Sequence, residues 1–288
     1  MPLSNIQTAV LRLLAAHRDP ESYVGESTPL NRAALRFSAD IHVFHDRQER
    51  VVEAALNDAA VLERAGYCVS WLRQLPMIYT AAVTKNDAGT RLEWVVDSDY
   101  RFFPTIKDEI FGYILHPVDL ATNKVMAAAG RRELRDLVDL VTIHEKILSV
   151  GALTWAAVGK SPGFTPEGLL AEIRRNMHYP AVEWLNLDSS EPLDPKDITG
   201  RLRAALEEAE AFVSKMPTEK AGMLFLKNAQ VVQPDPARLQ DYQVHAEARR
   251  GQWPTNSEIT SAMLEWYKNP RPPSEWEHPA RQHILIEG

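Results

Sequence analysis

The stretch FSADIHVFHD, residues 37–46, decides how the chain is read. It reads as a short strand, and alternation along a strand sends Asp40 and His42 to one face. An acid followed two positions later by a histidine has two possible origins. It is half of a metal-binding acid pair, or it is a strand edge that never held a metal.

The surrounding segments place this strand in a mixed sheet. Upstream, Ile6, Val10, Leu13, Leu14 and His17 recur at helical spacing and predict an opening amphipathic helix that ends near RDPES. A short SYVG strand and the loop ESTPLNR follow. Downstream, Val51, Ala55, Ala59, Leu62 and Ala65 line one side of a helix that Gly66 ends. Residues 67–74, 77–84 and 90–96 read as strands, separated by Pro76 and by the hairpin-like KNDAGT. Cys68, within YCVSWL, reads as a small core hydrophobe. The order predicts an α/β (α+β) chain with a mixed sheet flanked by helices.

Beyond FFPTIKDEIFGYILHP the pattern turns helical. VDLATNKVMAAAG is closed by Gly130, and ELRDLVDLVTIHEKIL carries a stripe of Leu134, Leu137, Val138 and Val141. Two further helices fall at 151–160 and 165–177, the second with Thr165 as N-cap and Pro166 in its first turn. DPKDITGRLRAALEEAEAFVSKM is another helix, GMLFLKNAQVV a strand pair or an edge extension, and SEITSAMLEWYKN a last helix. PRPPSEWEHP is an extended tail. The expected division is an α/β domain over 1–115 and a mainly helical domain over 116–288 that completes the site.

With 45% hydrophobic and 25% charged residues, the chain can bury a core, and wholesale disorder is excluded. A net charge of −7 argues against non-specific coating of nucleic acid. One cysteine excludes an internal disulfide and any multi-cysteine zinc site. The N-terminus lacks a signal-peptide pattern, and no apolar run approaches the ~20 residues needed to cross a bilayer. A cytoplasmic protein with no membrane association is expected.

The polar residues form a sequence of their own. Gly25, Ser27 and Thr28 lie in the turn after the first strand, where backbone N–H groups and hydroxyls can hold phosphate oxygens. Ser38 and Asp40 open the next strand, with Glu93 as its expected neighbour. Lys124 and the pair Asp136 and Asp139 come from consecutive helices, the aspartates three apart on a face away from the apolar stripe. Taken singly, each has a plainer reading as a loop, a strand-end charge or a solvated helix face. His42, His45, Asp46, His116 and His144 offer either a His/Asp metal site or structural histidines, and their spacing, which matches no zinc signature, makes structural histidines the default. Arg131, Arg132, Arg135, Arg174 and Arg175 are either a nucleic-acid groove or solvated helix faces. Trp253, Trp266 and Trp276 either pack on the body or serve an interface.

Together, VGESTPLNR, RFSADIHVFHD, LEWVVDSDYRFFP, LHPVDLATNKVMAAAGR and RDLVDL resemble, in order, the AbiEii/AbiGii-type nucleotidyltransferases. These are toxin components within the polymerase-β-like superfamily, and the resemblance covers roughly residues 1–180. It implies transfer of a nucleoside monophosphate from an NTP to an acceptor such as tRNA, with Mg²⁺ or Mn²⁺ and a cognate antitoxin as partner. It places the nucleotide-binding turn on Gly25, Ser27 and Thr28, and the serine and first metal carboxylate on Ser38 and Asp40. The lysine falls on Lys124 and the late acid on Asp139, with Asp136 just before it. Asp40, His42 and Glu93 are the candidate metal ligands.

Two positions depart from the family pattern. Glu26 replaces a second glycine, putting a carboxylate beside the phosphate turn. His42 stands where a second aspartate is expected, and Mg²⁺ prefers oxygen ligands, whereas Mn²⁺ or Zn²⁺ accept imidazole. Three readings stay open: one metal held by Asp40 and Glu93, a catalytically degenerate binding or regulatory protein, or different chemistry with His42 as base or transition-metal ligand.

Overall fold

A computed structural model describes residues 3–248 apart from 31–35, 39, 99, 162, 190–191 and 229. The helix expected at SEITSAMLEWYKN, the proline-dense tail and Trp253, Trp266 and Trp276 lie outside the described residues. The chain divides into two compact units, one over Met1–Tyr100 and Pro104–His116, the other over Arg101–Phe103 and Pro117–Ala248.

The first unit is built on a seven-stranded mixed sheet. Its strands are β1 (Ser22–Val24), β2 (Asp40–His45), β3 (Cys68–Leu75), β4 (Ile78–Lys85), β5 (Ala88–Val96), β6 (Ile106–Asp108) and β7 (Gly112–Ile114). Their order across the sheet is β3-β4-β5-β2-β1-β7-β6. β2 runs antiparallel to β1 and parallel to β5, which puts the 37–46 stretch in the sheet's interior. β4 and β5 form a hairpin whose turn uses Asn86 at φ 55°, a left-handed conformation that asparagine tolerates.

Two helices, α1 (Asn5–Leu14) and α3 (Glu49–Arg64), pack in this unit, with the single turn α2 (Ser27–Leu30) after β1. Ser4 and Gln7 form a reciprocal capping box at the start of α1, each satisfying an N–H that the helix leaves unpaired. Val51, Ala55, Asp58, Ala59 and Leu62 make the buried face of α3. Asp58 is the polar member of that face: its carboxylate accepts from Arg18 and, at 2.7 Å, from the indole of Trp94.

The expectation for Cys68 is corrected. It is exposed, because β3 is an edge strand and Cys68 sits at its first position.

His45, on β2, has both ring nitrogens buried with no hydrogen-bond partner. Burial, aided by the positive charges of Arg18 and Arg50, pushes its pKa down to about 3. The neutral ring is therefore favoured in the fold, while the unfolded chain takes up a proton near pH ~6.5. Stability from this site is full above that pH and is lost as pH falls toward 3. We expect unfolding free energy to drop by roughly 1.4 kcal/mol per pH unit between about 6.5 and 5. His45→Phe should flatten that slope in urea titrations repeated across the range.

The second unit is mainly helical: α4 (Pro117–Gly130), α5 (Leu134–Lys146), α6 (Val150–Ala157), α7 (Pro166–Arg175), α8 (Ala181–Leu185) and α9 (Pro195–Val213). Thr165 caps α7 by accepting from the Gly168 amide, and Pro166 occupies its first turn. β8 (Leu224–Lys227), β9 (Gln230–Val232) and β10 (Gln243–His245) add a three-stranded sheet in the order β10-β8-β9. GMLFLKNAQVV thus supplies a hairpin. Among the described residues no helix is long and apolar enough to cross a membrane.

Candidate functional site

The parallel register of β2 and β5 sets Asp40 opposite Arg91 and His42 opposite Glu93. Alternation puts all four side chains on one face, so the two strands present a block in which each acid neighbours a base. Arg91 bonds the Asp40 carboxylate. His42 Nε2 lies 3.1 Å from Glu93, and its Nδ1 lies 3.6 Å from both Asp40 and Glu26. Glu93 also accepts from the Thr80 hydroxyl at 3.3 Å.

The electrostatics follow from that arrangement. Burial works against a charged His42, but the hydrogen bond to Glu93 and the charges of Glu26, Asp40 and Glu93 outweigh it and raise its pKa. The bond to His42 likewise holds Glu93 below its ordinary value. Such a histidine contributes stability that is present below pH ~6.5 and is lost as pH rises through its raised pKa. That window lies on the opposite side from the one His45 governs.

Asp40, His42 and Glu93, the expected metal ligands, are therefore together but do not fit a divalent ion as arranged. The imidazole stands between the carboxylates, with Glu93 on one ring nitrogen and Asp40 on the other, so one ion cannot meet all three. Arg91 already brings positive charge to Asp40, and the surrounding acids favour the protonated form of His42. Among the described residues no group of three or more His, Cys, Asp or Glu side chains is placed to hold a metal ion.

Behind Asp40, the predicted hydroxyls converge on its backbone. Thr28 Oγ1 and Ser38 Oγ both donate to the Asp40 carbonyl, at 3.0 and 2.8 Å, and lie 3.1 Å from each other. Their present task is to fix the start of β2. Gly25 has a packing reason as well: a Cβ there would lie 2.6 Å from the Phe44 ring. Glu26, where the family pattern has glycine, sits at φ 54°, a left-handed conformation that disfavours a side chain. The side chain of Ser27 lies outside the described residues.

The second unit holds its own buried cluster. Lys124 Nζ lies 2.7 Å from Asp136 and 3.1 Å from Asp139, with the three side chains 3%, 0% and 2% exposed. Arg131 bonds the other oxygen of Asp136 at 2.8 Å. Burial favours a neutral Asp136, but the Lys124 charge and the bonds from Arg131 and Lys124 win, and its pKa is lowered. These aspartates lie away from the apolar stripe, but the plainer reading of them as a solvated helix face does not hold. Nearly all of α5 from Leu134 to His144 is buried, so the polar face is as enclosed as the apolar one.

Sequence reasoning missed three residues. Arg91 was available from register alone, since placing Glu93 beside His42 puts the residue two earlier beside Asp40. Asp119 and Lys160 form a buried pair at 2.8 Å, and Asp119 also accepts the amides of Phe102 and Phe103 at 2.8 and 3.0 Å. Nothing in the spacing of 119 and 160 announces that contact. The five candidate groove arginines all carry carboxylate partners: Arg131 with Asp136, Arg132 with Glu183, Arg135 with Glu133, Arg174 with Glu210 and Arg175 with Glu172. Their charge is matched within the fold, which disfavours the groove. His42, His45, His116 and His144 are all buried.

No protein-family model and no curated protein matches the chain. Among solved structures it is similar to MenT4, a nucleotidyltransferase toxin from Mycobacterium tuberculosis H37Rv. The identity is 15%, over 74% of this chain and 83% of that chain, with a TM-score of 0.48. A likeness at this level transfers no residue's role.

Proposed function

We propose that the chain is a nucleotidyltransferase of toxin–antitoxin type, moving a nucleoside monophosphate from an NTP to an acceptor such as tRNA, with a cognate antitoxin as its partner. The supporting observation is that the residues singled out by the ordered motifs gather into two buried polar clusters. Asp40, His42 and Glu93 lie on one strand pair with Thr28 and Ser38 bonded to the Asp40 carbonyl, and Lys124, Asp136 and Asp139 form one ion-paired triad. Phosphoryl transfer asks mainly for positioning and charge stabilisation, and buried, charge-coupled groups are suited to both. In this reading Asp40 is the catalytic carboxylate, with its backbone locked by Thr28 and Ser38. Asp136 and Asp139 keep Lys124 charged for work on a phosphate. No step is assigned to a divalent ion.

A second reading has a specific observation in its favour. Arg91 and His42 pair with the acids that such a reaction would use, as expected of a degenerate relative acting as a binding or regulatory partner. One experiment separates the two: incubation with each α-³²P-labelled NTP, total tRNA and Mg²⁺ or Mn²⁺. The transferase reading expects labelled tRNA with the native chain and a fall of about a hundredfold or more in Asp40→Ala, in the range seen when a catalytic group is lost. The degenerate reading expects no label until Glu26→Gly and His42→Asp are combined. Equal labelling by the native chain and Asp40→Ala overturns the assignment of Asp40.

A further inference from the structure

A cleft of about 780 Å³ lies wholly within the second unit, lined in part by His178, Tyr179, Trp184, Lys196, Thr199 and Arg203. Lys196, Thr199, Gly200 and Arg203 recur at helical spacing and so share one face of α9. Gly200 leaves that face open, since a Cβ there would meet nothing within 4 Å. The facing wall, 178–184, is braced from behind. Arg132 bonds the His178 carbonyl and Glu183 and stacks 4.3 Å over the Tyr179 ring. The Tyr179 hydroxyl is buried without a hydrogen-bond partner.

The chemistry of this lining is selective. The chain has 39 acidic against 32 basic residues, yet no carboxylate is among the described residues that line the cleft. The arginines on the neighbouring helices are ion-paired, whereas Lys196 and Arg203 have no such partner among the described residues. Unmatched cations facing indole and phenol rings suit a ligand that is both anionic and flat. Phosphate is taken by lysine and arginine, and an aromatic face is taken by a base regardless of its identity.

We propose that this cleft, where Lys196 and Arg203 oppose Tyr179 and Trp184, binds a nucleotide unit, with its base on the rings and its phosphate on the cations. The inference is independent of the transferase reading and concerns residues outside it. The unit can come from a mononucleotide or from single-stranded RNA, and the test has an arm for each.

Calorimetric titration of the full chain with AMP and with hexaadenylate should show binding that weakens as salt rises. Trp184→Ala and the double variant Lys196→Glu/Arg203→Glu should each lose at least about tenfold in affinity, given that one stacked base is worth ~1–3 kcal/mol. Equal affinity for AMP and hexaadenylate identifies a mononucleotide site, and clear preference for the hexamer identifies RNA. Adenosine and inorganic phosphate should each bind more weakly than AMP. Lys196 and Arg203 are exposed, so their variants should keep the native melting temperature. Absence of binding by both probes, or native affinity in both variants, overturns the proposal.

Discussion

Asp58→Ala should reduce the unfolding free energy by about 3–5 kcal/mol, the cost of stranding one member of a buried ion pair. Both Asp58 and Arg18 are almost fully enclosed. The Arg18 Nε and Nη1 have no hydrogen-bond partner, so Asp58 carries the burden of compensating that guanidinium. The substitution also removes the acceptor of the Trp94 indole N–H. Because α3, the segment that follows α1 and strand β5 all meet at this carboxylate, the loss should appear as one cooperative shift in a urea titration. The double variant Arg18→Met/Asp58→Leu should recover much of the loss, because it removes the buried charge as well as its partner. A change below about 1 kcal/mol in Asp58→Ala would mean that Arg18 finds water or another acid.

Lys124→Met should be nearly as damaging, at roughly 3 kcal/mol near neutral pH. Asp136 keeps Arg131, but Asp139 loses the lysine 3.1 Å away. The pH dependence gives the test its sign. A carboxylate whose folded pKa is lowered stabilises the fold above its unfolded value, ~3.9, and that contribution is lost as pH falls through the folded value. The gap between the native chain and Lys124→Met should therefore be widest above about pH 5 and narrow as pH falls and Asp136 protonates. In the transferase reading, the same variant abolishes nucleotide transfer under conditions where it remains folded.

Much of this was legible in the sequence, for identifiable reasons. Period-two and period-3.6 patterns locate β2, the β4–β5 hairpin and α1, α3, α5 and α9, because each buries one face against the rest of its unit. Asp58 was not singled out from the sequence, although it lies three residues after Ala55 and four before Leu62, inside the apolar stripe, where an acid demands a buried partner. Which partner was not legible, because Arg18 is 40 residues away and only the tertiary fold joins them.

The pairing of strands was the other gap. Helical spacing gives Asp136 and Asp139 a common face, but it cannot say that the face is enclosed, and a burial guess from local charge fails there. Cys68 failed for the opposite reason: its neighbours look like a core strand, and only the strand order shows that it is an edge. The four-residue block of Asp40, His42, Arg91 and Glu93 required the parallel register, which joins segments some 50 residues apart. Once that register is known, the histidine stops being a damaged ligand. With Arg91, it pairs with and balances the acids on the strand face.

That balance is the central claim, and Mn²⁺ binding to the nucleotide-free protein measures it directly. Titrated near pH 7 and followed by electron paramagnetic resonance, the native chain should bind Mn²⁺ weakly, and His42→Asp should bind it at least about tenfold tighter, a difference of ~1.4 kcal/mol. Native binding as tight as that of His42→Asp would contradict the account, since it would show that these carboxylates accept a metal despite the histidine and arginine between them.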